Sequence, residues 1–171
     1  MNKERLITLS LIICAAAVSR LIPHPDNVTP VAAIALFAGA QFDRKALAFA
    51  VPLMAMFLSD IVIGFYPQVW LTYVAFALTV GMGFALRGRN RLVPVAVATL
   101  ASAVLFFVVT NFAPLAVPAG IYPNSWEGIM QSYVAAIPFF RNSLIGDVFY
   151  SALLFGGFAL AERKYRVLAA A

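Results

Sequence analysis

Charge is scarce in this sequence. Seven acidic and twelve basic side chains make up 11% of the 171 residues, against 63% hydrophobic. A soluble domain carries roughly 25% charged residues, so this chain lacks the polar side chains to cover a water-facing surface. Cysteine occurs once, at Cys14, which excludes an internal disulfide and a cysteine zinc cluster. Histidine also occurs once, at His24 in a Pro-His-Pro-Asp turn, and a lone histidine beside one aspartate is a weak metal signal, so no metal site is expected. The sequence has no phosphate-binding loop, zinc-protease helix or nucleophile elbow. Gly81-Met-Gly83 lies inside an apolar run and reads as packing. Neither an enzyme nor an ATPase is indicated, and no cofactor is implied. Internal repeats, low-complexity tracts and linkers are missing too, which leaves a single domain over 1–171.

What is present is a series of long apolar runs with cations at their breaks. Lys3, Arg5, Arg44, Lys45, Arg87, Arg89, Arg91, Arg163, Lys164 and Arg166 fall at four breaks, and only Arg20 and Arg141 at the others. If the runs are membrane helices, ten cations lie on one side and two on the other, the positive-inside pattern of a cytoplasmic membrane. The net charge of +5 forms no basic stripe on a soluble face, so it argues for anionic lipid headgroups as partners and against nucleic acid. The expected fold is all-α: an integral membrane six-helix bundle with both termini cytoplasmic. Its helices are placed at about 5–22, 30–42, 45–65, 69–86, 92–112 and 138–161. The first resembles a signal peptide but is needed as an uncleaved helix. Thr29 is the expected N-cap of the second, with Pro30 as its first residue. That helix is short against the roughly 20 residues a crossing needs. Charge decides that it crosses, because a re-entrant form would put nine cations outside and three inside. The prolines and glycines of 113–137 predict a long outer loop, with a short interfacial helix from Ser125 to Tyr133.

The outer half holds most of the chemistry, including both tryptophans, four tyrosines and His24. Asp60 lies between one and two turns from the outer end of the third helix. A carboxylate at the bilayer centre costs about 2.5–3.5 kcal/mol even on lenient insertion scales, so it must face the bundle interior or a wet cavity. It either pairs with Arg20 and staples two helices, or holds a polar ligand group. Asp147 lies deeper, in the sixth helix, with no cation at its depth there. Asn142, Asp147 and Tyr150 fall on one broad stripe, with Arg141 at its mouth to snorkel or to bind an anion. Asn27, Tyr73 and Asn111 complete the candidate substrate-binding set with Arg20, Asp60, Arg141, Asn142 and Asp147. Ser59 and Thr72 read as internal hydrogen-bonders.

Four stretches carry a family resemblance: Ser19 to Ala40 (SRLIPHPDNVTPVAAIALFAGA), Pro52 to Gly64 (PLMAMFLSDIVIG), Phe106 to Phe112 (FFVVTNF) and Ala136 to Asp147 (AIPFFRNSLIGD). Together they resemble a small bacterial membrane family of unknown function that is similar to the S-components of energy-coupling-factor transporters. The resemblance implies a six-helix protein that captures a small-molecule substrate, a vitamin or precursor, from the outer side of the inner membrane. It also implies a membrane coupling protein with cytoplasmic ATPases as partner. The helix-one docking pattern Ala-x-x-x-Ala of many S-components is met here only as Ala15-x-x-x-Ser19, which weakens the expectation of a shared ATPase module. Two other classes compete: an ion- or proton-coupled carrier in which Asp60 and Asp147 titrate, and a structural or assembly protein with its charges paired internally.

Overall fold

The computed structural model describes residues 1–89, 91–116 and 121–169. Every regular element among them is helical. α1 covers Lys3–Val18 and tightens into a 3-10 turn, Ser19–Leu21; α2 is Val31–Gln41, α3 Lys45–Ile63 and α4 Val69–Gly83. α5 is Leu92–Asn111, followed by the single turn α6, Ala113–Ala116. α7, Trp126–Ser151, passes through a π turn, Ala152–Gly156, into α8, Gly157–Lys164. Four stretches among the described residues are long and apolar enough to cross a membrane: Lys45–Ile63, Val69–Leu86, Leu92–Leu115 and Trp126–Lys164.

The centre of the molecule is α2. All eleven of its residues are buried, as a helix that is apolar on every side must be. At a rise of 1.5 Å per residue it is roughly 16 Å long, about half the thickness of a hydrocarbon core. It is enclosed by the longer helices. α4 approaches closest, through facing glycines. A β-carbon on Gly39 would lie 2.1 Å from the Val80 carbonyl oxygen, and one on Gly83 2.4 Å from that of Leu36. Only glycine lets these two backbones meet. The exposed carbonyls at the end of α2 are then satisfied by a cation, as Arg87 donates from Nε to the Gly39 carbonyl at 3.1 Å and from a terminal nitrogen to that of Phe42.

Charge contacts fix which helix ends lie together. Arg5, at the start of α1, donates to Gln41 Oε1 at 2.9 Å and also to the Glu162 carboxylate and the Leu168 carbonyl. Asp43 accepts from the N-terminal ammonium at 2.7 Å, and that hydrogen bond holds its carboxyl below the ordinary value. These contacts gather the start of α1, the ends of α2 and α8 and the turn after α4 at one basic end. At the opposite end, Arg20 follows α1, Asp60 lies in the last turn of α3 and Tyr73 in the second turn of α4, all in contact. Helices α1 to α4 therefore alternate in direction.

Helix boundaries for α3, α4 and α5 fall within two or three residues of the sequence expectation. Two features differ. Pro30, not Thr29, is the N-cap of α2, and no side chain caps it. The sixth helix begins at Trp126 and not at Pro138, so the expected interfacial helix is the opening of α7. Ser125 accepts from the Gly128 amide at 3.2 Å, and Tyr133 donates to the Val108 carbonyl at 2.6 Å, which fastens these turns to α5. Pro138 then sits inside the helix, as membrane helices tolerate. Residue 90 and residues 117–120, within the expected breaks after the fourth and fifth helices, lie outside the described residues.

Candidate ligand chamber

At the end opposite the basic cluster, α5 and α7 turn one face each toward the start of α2. On α5 the face is Ala103, Phe106, Phe107, Thr110 and Asn111; on α7 it is Ala136, Phe139, Phe140, Ser143 and Asp147. Steps of three and four place each set on one side of its helix. The space between them is a chamber of about 250 Å³, closed at the α2 side by Asn27, Thr29 and Val31. Gly146 sets this closure. A β-carbon there would come within 3.1 Å of the Thr29 amide nitrogen, so the missing side chain lets α7 lie against the Val28–Thr29 backbone. Asn27 takes the left-handed conformation, φ 62°, in the turn closed by the Val28 amide on the Pro25 carbonyl at 3.1 Å.

A second lobe of about 460 Å³ shares Asn27, Thr29, Val31, Phe106, Thr110 and Asn111 with the first, so the two lie side by side. Its wall carries Arg20, Tyr66, Gln68 and Tyr122. The chamber thus has a carboxylate at one extreme and a guanidinium at the other.

These two charges have different surroundings. Arg20 is spoken for: one terminal nitrogen donates to Asp60 Oδ1 at 2.7 Å and the other to the Ser59 hydroxyl. Tyr73 donates to Asp60 Oδ2 at 2.8 Å. Asp60, 3% exposed, therefore has both oxygens bonded and does not line the chamber. Asp147 is 5% exposed, lines the chamber and has no hydrogen-bond or ion-pair partner among the described residues. A buried carboxylate in that position is costly unless something compensates it.

Of the residues selected from the sequence, the structure brings Asn27, Asn111 and Asp147 to one lobe and Arg20 to the other. Asp60 and Tyr73 stand behind Arg20 as its anchors. Arg141 and Asn142 line neither lobe. Arg141 is exposed, and Asn142 donates to the Asp26 carbonyl at 3.1 Å, tying α7 to the turn before α2. Tyr150 leaves the expected stripe too, and its hydroxyl accepts weakly from Ser19 at 3.4 Å. Ser143, Phe140, Thr110 and Phe107 were not selected from the sequence. Ser143 lies one turn before Asp147 and Phe140 two turns before it, so helical spacing from Asp147 alone finds both. Ser59 is an internal hydrogen-bonder as expected, to the Met56 carbonyl at 2.8 Å, whereas Thr72 bonds Tyr66 at 2.5 Å in an exposed position and lines the second lobe.

A family described as "Family of unknown function (DUF6580)" matches the chain over residues 1–168, and the chain belongs to it. No curated protein and no solved structure matches.

Proposed function

We propose that this DUF6580 chain is a membrane-embedded capture protein. It takes a small molecule from the outer side of the cytoplasmic membrane into the two-lobed chamber, in the manner of the S-components it resembles. The observation that carries the reading is Asp147, a carboxylate that is buried, lines the chamber and touches no partner among the described residues. A carboxylate kept only for packing is paired, as Asp60 is. Helix interiors of membrane proteins retain an ionisable group where it contacts a substrate or its path. With the basic end facing the cytoplasm, the chamber opens toward the outside. Delivery to the cell interior then calls for a second membrane protein coupled to cytoplasmic ATPases, because this chain has no nucleotide-binding motif.

The test is mass spectrometry of small molecules released from protein purified in mild detergent. One metabolite in near-stoichiometric amount is expected, and it is lost from an Asp147→Asn protein that elutes and melts like the parent. Equal occupancy of the two proteins removes Asp147 from the site. A folded parent that carries nothing, and takes up nothing from a cell metabolite extract, overturns the capture reading.

A further inference from the structure

The lining of the Asp147 lobe indicates what kind of molecule it holds. Each of its three best-placed polar side chains has already spent a donor on its own helix. The Thr110 hydroxyl donates to the Phe106 carbonyl at 2.8 Å, Asn111 Nδ2 to the Phe107 carbonyl at 2.8 Å, and the Ser143 hydroxyl to the Phe139 carbonyl at 3.2 Å. Thr110 and Ser143 therefore offer the chamber oxygen lone pairs, and Asn111 offers its carbonyl oxygen beside one remaining N–H. Asp147 adds two carboxyl oxygens, and a negative charge when ionised, with no counter-ion among the described residues. The remaining wall is aromatic: Phe107 and Phe140 pack with ring centroids 4.8 Å apart, and aromatic faces attract cations. No guanidinium lines this lobe: Arg20 lies in the other one and is neutralised by Asp60 at 2.7 Å, and Arg141 lines neither.

We propose that the Asp147 lobe is an organic-cation site. It accepts the protonated amine of the captured molecule, with the ammonium on Asp147 and the adjoining carbon skeleton against Phe107 and Phe140. Binding supplies the counter-charge that the fold withholds from Asp147. The opposing features are the side-chain donors of Asn27 and Thr29, the second N–H of Asn111, and the start of α2. Its first amides are uncapped and the helix dipole there favours an anion, yet the carboxylate nearest to it is fixed in the protein. The proposal rests on the capture reading and names the ligand class for it.

The chamber's charge preference can be read without knowing the ligand. In a Cys14→Ala background, Ala136→Cys places a thiol on the chamber wall. Its modification by the trimethylammonium-ethyl and the sulfonato-ethyl methanethiosulfonates is followed in lipid nanodiscs. Each rate is normalised to the same reagent's rate with free thiol. The cationic reagent is expected to be favoured about tenfold, the scale of electrostatic enrichment in a low-dielectric cleft. Asp147→Asn should abolish the preference, whereas Glu127→Gln on the exposed opening of α7 should leave it intact. Phenethylammonium should protect the thiol, and its neutral counterpart 2-phenylethanol should not. A preference that is absent, or that survives Asp147→Asn, overturns the proposal, as does equal protection by the alcohol. The parent ratio needs no change at Asp147, so a poorly folded variant cannot mask the result. A neutral or anionic metabolite recovered from the purified protein leaves capture standing and removes the cation class. An empty protein with no charge preference removes both.

Discussion

Asp60 and Asp147 are both carboxylates in apolar helices, and their neighbours give them opposite roles. Asp60 has Arg20 at 2.7 Å and Tyr73 at 2.8 Å, so its charge is neutralised inside the fold. Removing one member of such a pair leaves a buried charge unmatched. Arg20→Leu should therefore destabilise by about 3–5 kcal/mol, whereas Arg20→Met with Asp60→Leu should recover most of that loss. Tyr73→Phe removes one hydrogen bond to a charged group, worth about 1.5–3 kcal/mol. Thermal and denaturant unfolding in detergent of the single and double variants checks the order. A double variant no better than Arg20→Leu would show that the pair does more than neutralise itself. The pairing was one of two readings the sequence left open for Asp60, because a membrane carboxylate demands a cation or a ligand at its own depth and only Arg20 and Arg141 stand at that end. The isolation of Asp147 was legible in the same way. The aromatic and hydroxyl wall around it was not, because it arises where α5 and α7 face each other, and no spacing along one helix reports its neighbour.

At the scale of helices, the contact that organises the bundle is the meeting of α2 and α4 at Gly39 and Gly83. Any β-carbon there strikes backbone oxygen within 2.4 Å, and backbone cannot rotate away as a side chain would. Gly83→Ala should therefore force the helices apart and cost the protein its monodisperse elution in detergent. Gly81→Ala, two residues earlier in the same helix, meets nothing within 4 Å. It should be tolerated, or gain about 0.5–1 kcal/mol from the better helix former. Size-exclusion profiles and melting temperatures of the two variants make the comparison, and equal behaviour would mean the crossing is not held by close approach. Small residues at 35, 39, 81 and 83 were visible in the sequence, but not which of them faced another helix. Helix ends were legible wherever charge or a tight turn closes an apolar run, as at Lys45, Gln68 and Leu92. The continuity of α7 was not. A helix from Ser125 was expected, but Pro138 reads locally as the first-turn residue of a separate one, and the tie that fastens the opening turns to α5, from Tyr133, is tertiary.

For the whole molecule, the arrangement of ends turns a charge count into an orientation. Contacts of Arg5 with Gln41 and Glu162, and of Arg87 with Gly39, bring four cation-bearing breaks to one end of the bundle. Ion pairing does not explain ten cations there, since Glu162 and Asp43 are the only acids in salt bridges at that end among the described residues. Anionic headgroups and the insertion bias for Lys and Arg do explain it. The basic end is therefore expected in the cytoplasm, with the chamber facing out. In a Cys14→Ala background, Asn124→Cys just before α7 should react with a membrane-impermeant maleimide in intact cells. Ala46→Cys, at the start of α3 beside Arg44, should react only after permeabilisation. Both positions are exposed, so silence at either one before permeabilisation reflects sidedness and not burial. The reverse pattern would turn the chamber toward the cytoplasm, where capture from outside is impossible and release or export becomes the only direction the geometry serves. The same reverse pattern is what a re-entrant α2 gives, because every later helix then flips, and the charge argument that made α2 cross would fail with it. Labelling at both positions in intact cells would instead mean that an even number of the three helices between them, α3, α4 and α5, cross, and the alternating bundle would fail.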